Sequence, residues 1–480
     1  MADLYKEIGN DSDYGSINDN SSAQTEDPQT SAPSPSPMTR HQYIVFCGIA
    51  LAYFADLTSF SLIAPFYPIE AKEKDLSPVM IGFVFSVFSL VQFLSSPIFG
   101  KLLPYVGAKF MFLAGSWVAA GSNLIFGVLD ELEPGTQFLV FCLVTRCVGA
   151  LGASASVTAA TAIIAHTFPD RTGQMMGLLE LFCGVGLMVG PALGGLLYSV
   201  GGYKLPFMVL GAADTLVVII NIFLIRSSEG MESKTKGSML AVAKIPAVWV
   251  IALTCGVAST GMGFLDPTMS PHLKEQYNLS PVFISLVYIL SGSAYAIATP
   301  LWGYLSDKKR ITRTLIVFGL TGGGVCFLFL GPTPLFPQVP TDQVWTVIVT
   351  VGLGSLLLGC AIVPTFIDLL NTAKWYGLPD DISTQGIVSG VFNSFFSLGA
   401  FVGPTVGGVL QQHYGFPWAS TMVGFMFVIM AILIVLFGFW EYQCGKGRRR
   451  PPNNDLTRQV SVNYFGSEID DTEENRGLLS

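Results

Sequence analysis

Long apolar stretches separated by short polar segments dominate the pattern of this chain. Twelve of them have the roughly 20 residues that an α-helix needs to cross a bilayer. They occupy residues 41–66, 79–103, 109–129, 137–165, 174–199, 205–226, 246–271, 282–303, 311–331, 343–367, 385–410 and 417–441. The pattern therefore predicts an all-α membrane protein with twelve transmembrane helices.

The polar segments predict the domain organisation. The longest gap between the apolar stretches, residues 227–245, separates six spans from six and is expected to be a cytosolic linker. The six-helix bundles are then expected over residues 41–226 and 246–441. Residues 1–40 and 442–480 are polar and charged, and we expect disordered tails there because they cannot bury enough apolar surface to fold.

The two halves of the chain contain matching segments in parallel order. At an offset of 213 residues, LELFCGVGLMVGPALGG (179–195) aligns with FNSFFSLGAFVGPTVGG (392–408). At an offset of 203, SSPIFGKL (95–102) aligns with ATPLWGYL (298–305). This repetition predicts two pseudo-symmetric bundles related by an axis along the membrane normal, with a substrate cavity between them near the midplane.

The longer repeat places glycines at helical spacing, so one helix face lacks side chains and can admit a neighbouring helix closely. The shared pairs are Phe182/Phe395, Gly186/Gly399, Gly190/Gly403, Pro191/Pro404, Gly194/Gly407 and Gly195/Gly408. One position differs in charge, because Glu180 aligns with Asn393.

Composition supports a membrane protein and excludes some classes of function. The chain is 51% hydrophobic and 12% charged, whereas soluble domains have about 25% charged residues. No basic stripe for nucleic acid is present. The four histidines lie at span boundaries in separate segments, so no enzyme active site is expected. A receptor or scaffold would not need matched bundles with buried acids.

The distribution of Lys and Arg predicts the orientation. With a cytosolic N-terminus, the cytosolic loops and flank contain roughly sixteen Lys and Arg residues and the opposite loops about four. The largest clusters are at 308–313 and 448–450. Both termini are therefore expected in the cytosol.

Several of these segments resemble motifs of the major facilitator superfamily, over essentially all of residues 41–441. Gly303-Tyr-Leu-Ser-Asp307 is similar to its loop motif between helices 8 and 9. The first half departs from this motif, because Gly100-Lys-Leu-Leu-Pro104 has a proline in place of the acid. The resemblance implies a gating role for Gly303 and Asp307.

The fifth span resembles the helix 5 motif of proton antiporters, and the second half repeats it. The matching residues are Gly186, Gly190, Pro191, Gly194 and Gly195, with Gly403 and Pro404 in the repeat. Arg146 matches the arginine of the superfamily's helix 4 motif, although the glycines after it are spaced differently. A tight helix contact at these motifs is expected to prevent proton leak, which favours an antiporter over a channel.

A narrower resemblance is to the vesicular amine transporters. Asp56 lies nine residues before Pro65, as in their amine-binding helix 1, and the Asp266-Pro267 step is similar to their helix 7. Together with Glu180, these segments are most similar to the polyamine branch of the family. The resemblance implies exchange of small cationic amines such as spermidine and spermine for protons, driven by the proton gradient without a cofactor. A monoamine or broad organic-cation antiporter is the alternative.

Charges inside spans also favour this interpretation on physical grounds. A charge at the centre of a spanning helix costs roughly 2.5–3.5 kcal/mol on insertion scales, so Asp56, Glu180 and Asp266 should face a cavity or a partner. Asp56 lies about 5 Å from the midplane of its span. Because removal from water favours the neutral form of a carboxyl group, Glu180 could exchange a proton for a cation. Its alternative role is a structural ion pair with Arg146.

The proline after Asp266 is expected to weaken and locally break its helix, next to a gate or binding site. For Asp214 and Asp368, structural or interfacial roles are the preferred interpretation. Aromatic residues that could provide faces for cation–π contacts are Tyr53, Phe60, Tyr288, Tyr295 and Phe396.

Short patterns in the tails predict sorting. Glu474-Asn-Arg-Gly-Leu478-Leu479 has the acidic dileucine form recognised by clathrin-adaptor complexes, and Tyr14-Gly-Ser-Ile17 has the tyrosine-based form. We therefore expect a monomeric protein embedded in the bilayer of acidic intracellular vesicles.

Overall fold

The computed structural model describes residues 37–225, 238–279, 281–309, 311–331 and 343–443. The dileucine residues Glu474, Leu478 and Leu479 lie outside these ranges, as do most of the predicted linker and both tails. The regular elements of the described part are helical. They are α1 (Arg40–Ser61), α2 (Tyr67–Glu73), α3 (Pro78–Val106), α4 (Ala108–Val128), a 3-10 turn (Leu129–Glu131), α5 (Thr136–Thr167), α6 (Thr172–Gly201), α7 (Lys204–Leu224), α8 (Met239–Ala243), α9 (Pro246–Tyr277), α10 (Pro281–Lys309), α11 (Thr312–Leu330), α12 (Val344–Trp375) and α13 (Ile382–Gln443).

Eleven helices in the described ranges are long and apolar enough to cross a membrane, and the last of them contains two crossings. Its 62 residues would extend about 90 Å as one straight helix, about three times the thickness of the bilayer core. Gly415 interrupts α13 with non-helical backbone (φ 80°, ψ 164°). The positive φ is accessible to glycine without steric cost, so the chain can turn there between the two predicted spans.

Helix α1 begins with a reciprocal cap. The Thr39 hydroxyl accepts a hydrogen bond from the Gln42 backbone at 3.2 Å, and the Gln42 side chain accepts one from the Thr39 backbone at 3.0 Å. These two bonds satisfy backbone donors that an uncapped helix would leave free. We call the side of the membrane where α1 begins and α13 ends the termini side, and the other the opposite side.

The prediction of a helix break beside Asp266 is wrong, because α9 continues through Pro267 and Pro271. Membrane helices tolerate proline because neighbouring groups adjust to the backbone carbonyl that it leaves without a donor, which for Pro267 is the carbonyl of Gly263. In the same turn the Thr268 hydroxyl donates to the Phe264 carbonyl at 2.5 Å.

The glycine faces of the repeat lie against equivalent helices in the two halves. In the first half, a Cβ atom built on Gly186 would lie 2.8 Å from the Phe54 carbonyl oxygen of α1. In the second half, a Cβ on Gly403 would lie 2.6 Å from the Thr260 carbonyl oxygen of α9. Real Cβ atoms do not approach so closely, so α6 packs on α1, and α13 on α9, only because these positions are glycine.

Candidate functional site

Glu180 lies where α6 of the first half meets α10 of the second. Its side chain is 6% exposed and its Oε2 atom accepts a hydrogen bond from the Tyr295 hydroxyl at 2.8 Å. Tyr53 of α1 and Cys255 of α9 interact with it electrostatically. Four helices from both halves therefore contribute to the surroundings of this carboxyl group.

Asp56 lies one helical turn after Tyr53 on α1, and Tyr53 interacts electrostatically with both Asp56 and Glu180. The Oδ2 atom of Asp56 is buried and has no hydrogen-bond partner among the described residues. An unpaired, buried carboxylate oxygen is costly. The free energy of this site is therefore lowered when a proton or a cation binds there.

Asp214 on α7 forms a polar cluster with neighbours of Asp56. Its Oδ2 atom accepts hydrogen bonds from the Ser59 hydroxyl at 2.6 Å and from the Asn123 amide at 3.2 Å. Asp214 also interacts electrostatically with Asp56. Sequence analysis preferred a structural or interfacial role for Asp214 and missed this link to Asp56. The signal that could have found it is Ser59, three residues after Asp56 on the same helix.

Asp266 differs from the other two acids because its side chain is exposed. The Tyr288 hydroxyl of α10 donates to the backbone carbonyls of Leu265 and Asp266, at 3.2 and 3.1 Å. Tyr288 thus holds α10 against the turn of α9 that contains Asp266.

The structure does not place Arg146 next to Glu180. Its guanidinium carbon lies 5.0 Å from the centroid of the Phe126 ring and 5.6 Å from that of Phe88. Glu180 is instead bonded to Tyr295, so the alternative of a structural ion pair between Arg146 and Glu180 is wrong. Sequence alone could not show whether Arg146 and Glu180 contact each other. Both residues lie on apolar helices, and the packing of these helices determines which residues face each other.

Asn393, the repeat partner of Glu180, also joins the halves. Its amide nitrogen donates to the Thr161 hydroxyl of α5 at 3.3 Å. The Ser394 hydroxyl donates to the Phe93 carbonyl of α3 at 2.7 Å. The equivalent segments of α6 and α13 thus both contact the other half, one with a carboxyl group and one with an amide.

On the termini side, Asp307 of α10 caps the first turn of α6. Its two carboxylate oxygens accept hydrogen bonds from the backbone of Gly173 at 2.9 Å and of Gln174 at 2.7 Å. A negative charge at a helix N-terminus is stabilised by free N–H groups and by the helix dipole. Gly303 allows the approach, because a Cβ atom there would lie 2.7 Å from the Gly173 carbonyl carbon.

The equivalent contact of the other two helices, α3 and α13, has no such carboxylate. A Cβ atom on Gly100 would lie 2.5 Å from the Gly386 carbonyl oxygen, so the backbones again touch. Pro104 occupies the position equivalent to the acid and cannot accept a hydrogen bond with its side chain. Of these two contacts on the termini side, one is charged and the other is formed by backbone packing.

Comparison with known proteins agrees with this architecture. Residues 49–377 and 251–462 match the Major Facilitator Superfamily. The chain belongs to that superfamily. A bacterial homologue of the iron transporter ferroportin in an outward-facing state has the same fold, with a TM-score of 0.67 and 15% identity over 83% of this chain and 100% of that chain.

Two curated relatives confirm the predicted resemblance to vesicular amine transporters. The mouse MFS-type transporter SLC18B1 is 38% identical over 420 residues, 87% of this chain and 91% of that protein. The human synaptic vesicular amine transporter is 24% identical over 381 residues, 78% of this chain and 70% of that protein. The chain is thus a multi-pass membrane transporter and not an enzyme.

Proposed function

We propose that the protein is a proton-coupled antiporter that loads polyamines, such as spermidine and spermine, into acidic vesicles by alternating access. The observation that carries the proposal is the position of Glu180, buried between the halves and bonded across them to Tyr295. A carboxyl group at that boundary can interact both with a bound solute and with the opposite half of the protein. The name of the amine-transporting relative supports an amine as the solute.

Carboxyl groups on the central helices can exchange protons for ammonium groups. Asp56 has a buried oxygen without a partner, and the Oε1 atom of Glu180 is not used by the Tyr295 hydroxyl. A primary ammonium can pair with either carboxylate, and the Coulomb attraction is strong where water is excluded. A proton on the same oxygen removes that attraction, so protonation from an acidic lumen releases the amine.

Two separated carboxyl groups suit a cation with more than one charge. Asp56 lies toward the opposite-side end of α1, whereas Glu180 lies within the termini-side half of α6. Tyr53 lies between them and interacts with both. We propose that Asp56 holds one ammonium group of a polyamine and Glu180 a second. Asn393, at the equivalent position of the other half, cannot carry a charge.

Alternating access requires the contacts on the termini side to break and reform. The Asp307 cap on α6 and the Tyr295–Glu180 bond both join α10 to α6. In the proposed cycle, release of protons on the termini side frees Glu180 to bind an ammonium group. The loaded halves then close on that side, as they are in this structure, and acid on the opposite side releases the amine.

The proposed location is the membrane of acidic intracellular vesicles, with both termini in the cytosol. The dileucine segment that ends in Leu478 and Leu479 would bind clathrin adaptors. We expect that a protein with both leucines replaced by alanine moves from vesicles to the plasma membrane in transfected cells, as measured by surface biotinylation. An unchanged surface fraction would contradict the sorting role.

The transport proposal is tested with purified protein in proteoliposomes that have an acidic lumen. Radiolabelled spermidine should accumulate while the pH gradient lasts and leave when nigericin collapses it. Accumulation that survives collapse of the gradient would contradict antiport. Uptake of a panel of monoamines is measured in parallel. This measurement decides between a polyamine antiporter and the alternative of a monoamine or broad organic-cation antiporter.

A further inference from the structure

A second buried polar site lies in the first half, away from the acids between the halves. Arg146 on α5, Tyr67 at the start of α2 and Tyr203 before α7 surround the ring of Phe126 on α4. The ring centroid of Phe126 is 5.5 Å from that of Tyr67 and 6.5 Å from that of Tyr203. Arg146 interacts electrostatically with both tyrosines.

These three side chains are buried, and two of them, Arg146 and Tyr203, have polar atoms without partners among the described residues. Tyr67 is 0% exposed, Tyr203 4% and Arg146 6%. The Tyr203 hydroxyl and the Nε atom of Arg146 make no hydrogen bond with the described residues, and the Tyr67 hydroxyl contacts the Cys142 thiol. The Cys142 thiol beside Tyr67 also interacts with the guanidinium group, and is a weak donor as well. The site therefore contains donors around one buried positive charge.

The charge of Arg146 cannot be removed by loss of its proton, because a guanidinium group stays charged in proteins. The faces of Phe88 and Phe126 compensate only part of the cost of burying it. Burial raises the pKa of the Tyr67 and Tyr203 hydroxyls, so both stay neutral donors and neither supplies a phenolate.

Three acids near this end of the bundle have partners other than Arg146. Asp130 pairs with Lys74 at 3.6 Å, and Glu131 pairs with Lys204. Glu70 accepts a hydrogen bond from Tyr198 at 2.7 Å. Among the described residues, Arg146 takes part in none of the ion pairs. Arg146 therefore has no carboxylate as an ion-pair partner among the described residues.

We propose that Arg146, Tyr67 and Tyr203 form a binding site for a chloride ion. One guanidinium charge matches one monovalent anion, and the hydroxyl groups donate hydrogen bonds to it. Tyr67 begins α2, Phe126 lies near the end of α4 and Tyr203 immediately precedes α7, all on the opposite side, so the ion enters from that side.

The test uses purified full-length protein and does not depend on the proposed substrate. Thermal unfolding is measured while chloride replaces gluconate at constant ionic strength. The Tm should rise saturably with chloride, by about 1–2 °C at ten times the dissociation constant. A Tm that is the same in the two salts overturns the proposal.

Matched variants locate the ion. Tyr67→Phe and Tyr203→Phe keep the rings and remove one donor each, so each should weaken chloride binding about tenfold. Tyr198→Phe is the control with wild-type chloride affinity, because its hydroxyl already has Glu70 as partner. Arg146→Met should abolish the response. Wild-type affinity in both Tyr67→Phe and Tyr203→Phe would overturn the site, whether or not the Arg146 variant folds.

Discussion

Glu180 and Asn393 show how one changed residue can distinguish two repeated halves. Each reaches across to the other half, Glu180 to Tyr295 and Asn393 to Thr161. Only the first can exchange a proton for a cation. The sequence repeat was enough to find this pair. Their hydrogen-bond partners could not be predicted, because these partners depend on how two bundles dock.

Replacement of Glu180 should reduce the uptake of polyamines more than the uptake of monoamines. In Glu180→Gln the shape of the side chain remains but the charge is lost, so a second ammonium group loses its partner. We expect spermine uptake to fall about tenfold or more, and uptake of a monovalent amine to fall less than about threefold. Initial uptake rates in proteoliposomes give both values.

Glu70→Gln is the matched control for Glu180→Gln. Glu70 is also a glutamate bonded to a tyrosine hydroxyl, Tyr198, but it lies on the short helix α2. Its replacement should leave the ratio of spermine to monoamine uptake unchanged. Equal losses of both substrates in Glu180→Gln would contradict its role in binding a second charge.

Arg146 and Asp214 mark the limit of sequence analysis at the residue scale. The predicted alternative of an Arg146–Glu180 pair rested on charge complementarity, yet Arg146 lies over Phe126. Asp214 was expected to have a structural or interfacial role, and its hydrogen bond with Ser59, close to Asp56, was not predicted. Hydropathy shows that a charged residue lies within a span. It does not show which neighbouring helix the charged side chain faces.

At the element scale, the glycine faces determine which helices pair within each half. Helix α6 lies on α1 and the first part of α13 lies on α9, so the sequence repeat corresponds to a repeat of packing. The glycine spacing predicted a face for close approach, but the identity of the neighbouring helix came only from the structure.

Addition of one methyl group should distinguish packed from unpacked glycines. In Gly403→Ala the Cβ atom would lie 2.6 Å from the Thr260 carbonyl oxygen, so α13 and α9 must separate. Overpacking of about 1–3 kcal/mol should lower the Tm by about 1–4 °C. The paired control is Gly408→Ala, where nothing lies within 4 Å, and its Tm should be unchanged or slightly higher. Equal Tm values for the two variants would refute this account of the contact.

Helix bounds were less predictable than the number of crossings. Hydropathy placed the twelve spans, but α9 ends at Tyr277 and α12 at Trp375, several residues beyond the predicted ends at 271 and 367. Helices extend past the apolar core because backbone hydrogen bonds continue in the polar region, where hydropathy gives no signal. The short helix α2 was missed for the same reason.

At the scale of the whole molecule, the two contacts on the termini side differ in chemistry. Asp307 caps α6 across one of them, whereas Gly100 and Gly386 touch across the other without a charge. The sequence predicted this asymmetry from Pro104. We expect the charged contact to contribute more to the balance between conformations.

Neutralisation of Asp307 should shift that balance. Asp307→Asn keeps the size of the side chain and removes the charge at the start of α6, a contribution of about 0.3–2 kcal/mol. The population with this side open should rise about two- to thirtyfold. Spin labels on the exposed residues Asp170 and Lys308 report it as a longer distance in pulsed electron paramagnetic resonance. An unchanged distance distribution would show that Asp307 does not hold the halves together.

The central claim is that acids between matched halves exchange protons for positively charged amines. It is tested most directly by recording lumenal pH in acid-loaded proteoliposomes when spermidine is added outside. The wild-type protein should release lumenal protons as spermidine enters, whereas a folded variant with Asp56→Asn, Glu180→Gln and Asp266→Asn should release none. Spermidine entry without a change of lumenal pH, or proton release at the wild-type rate in the triple variant, would contradict the account.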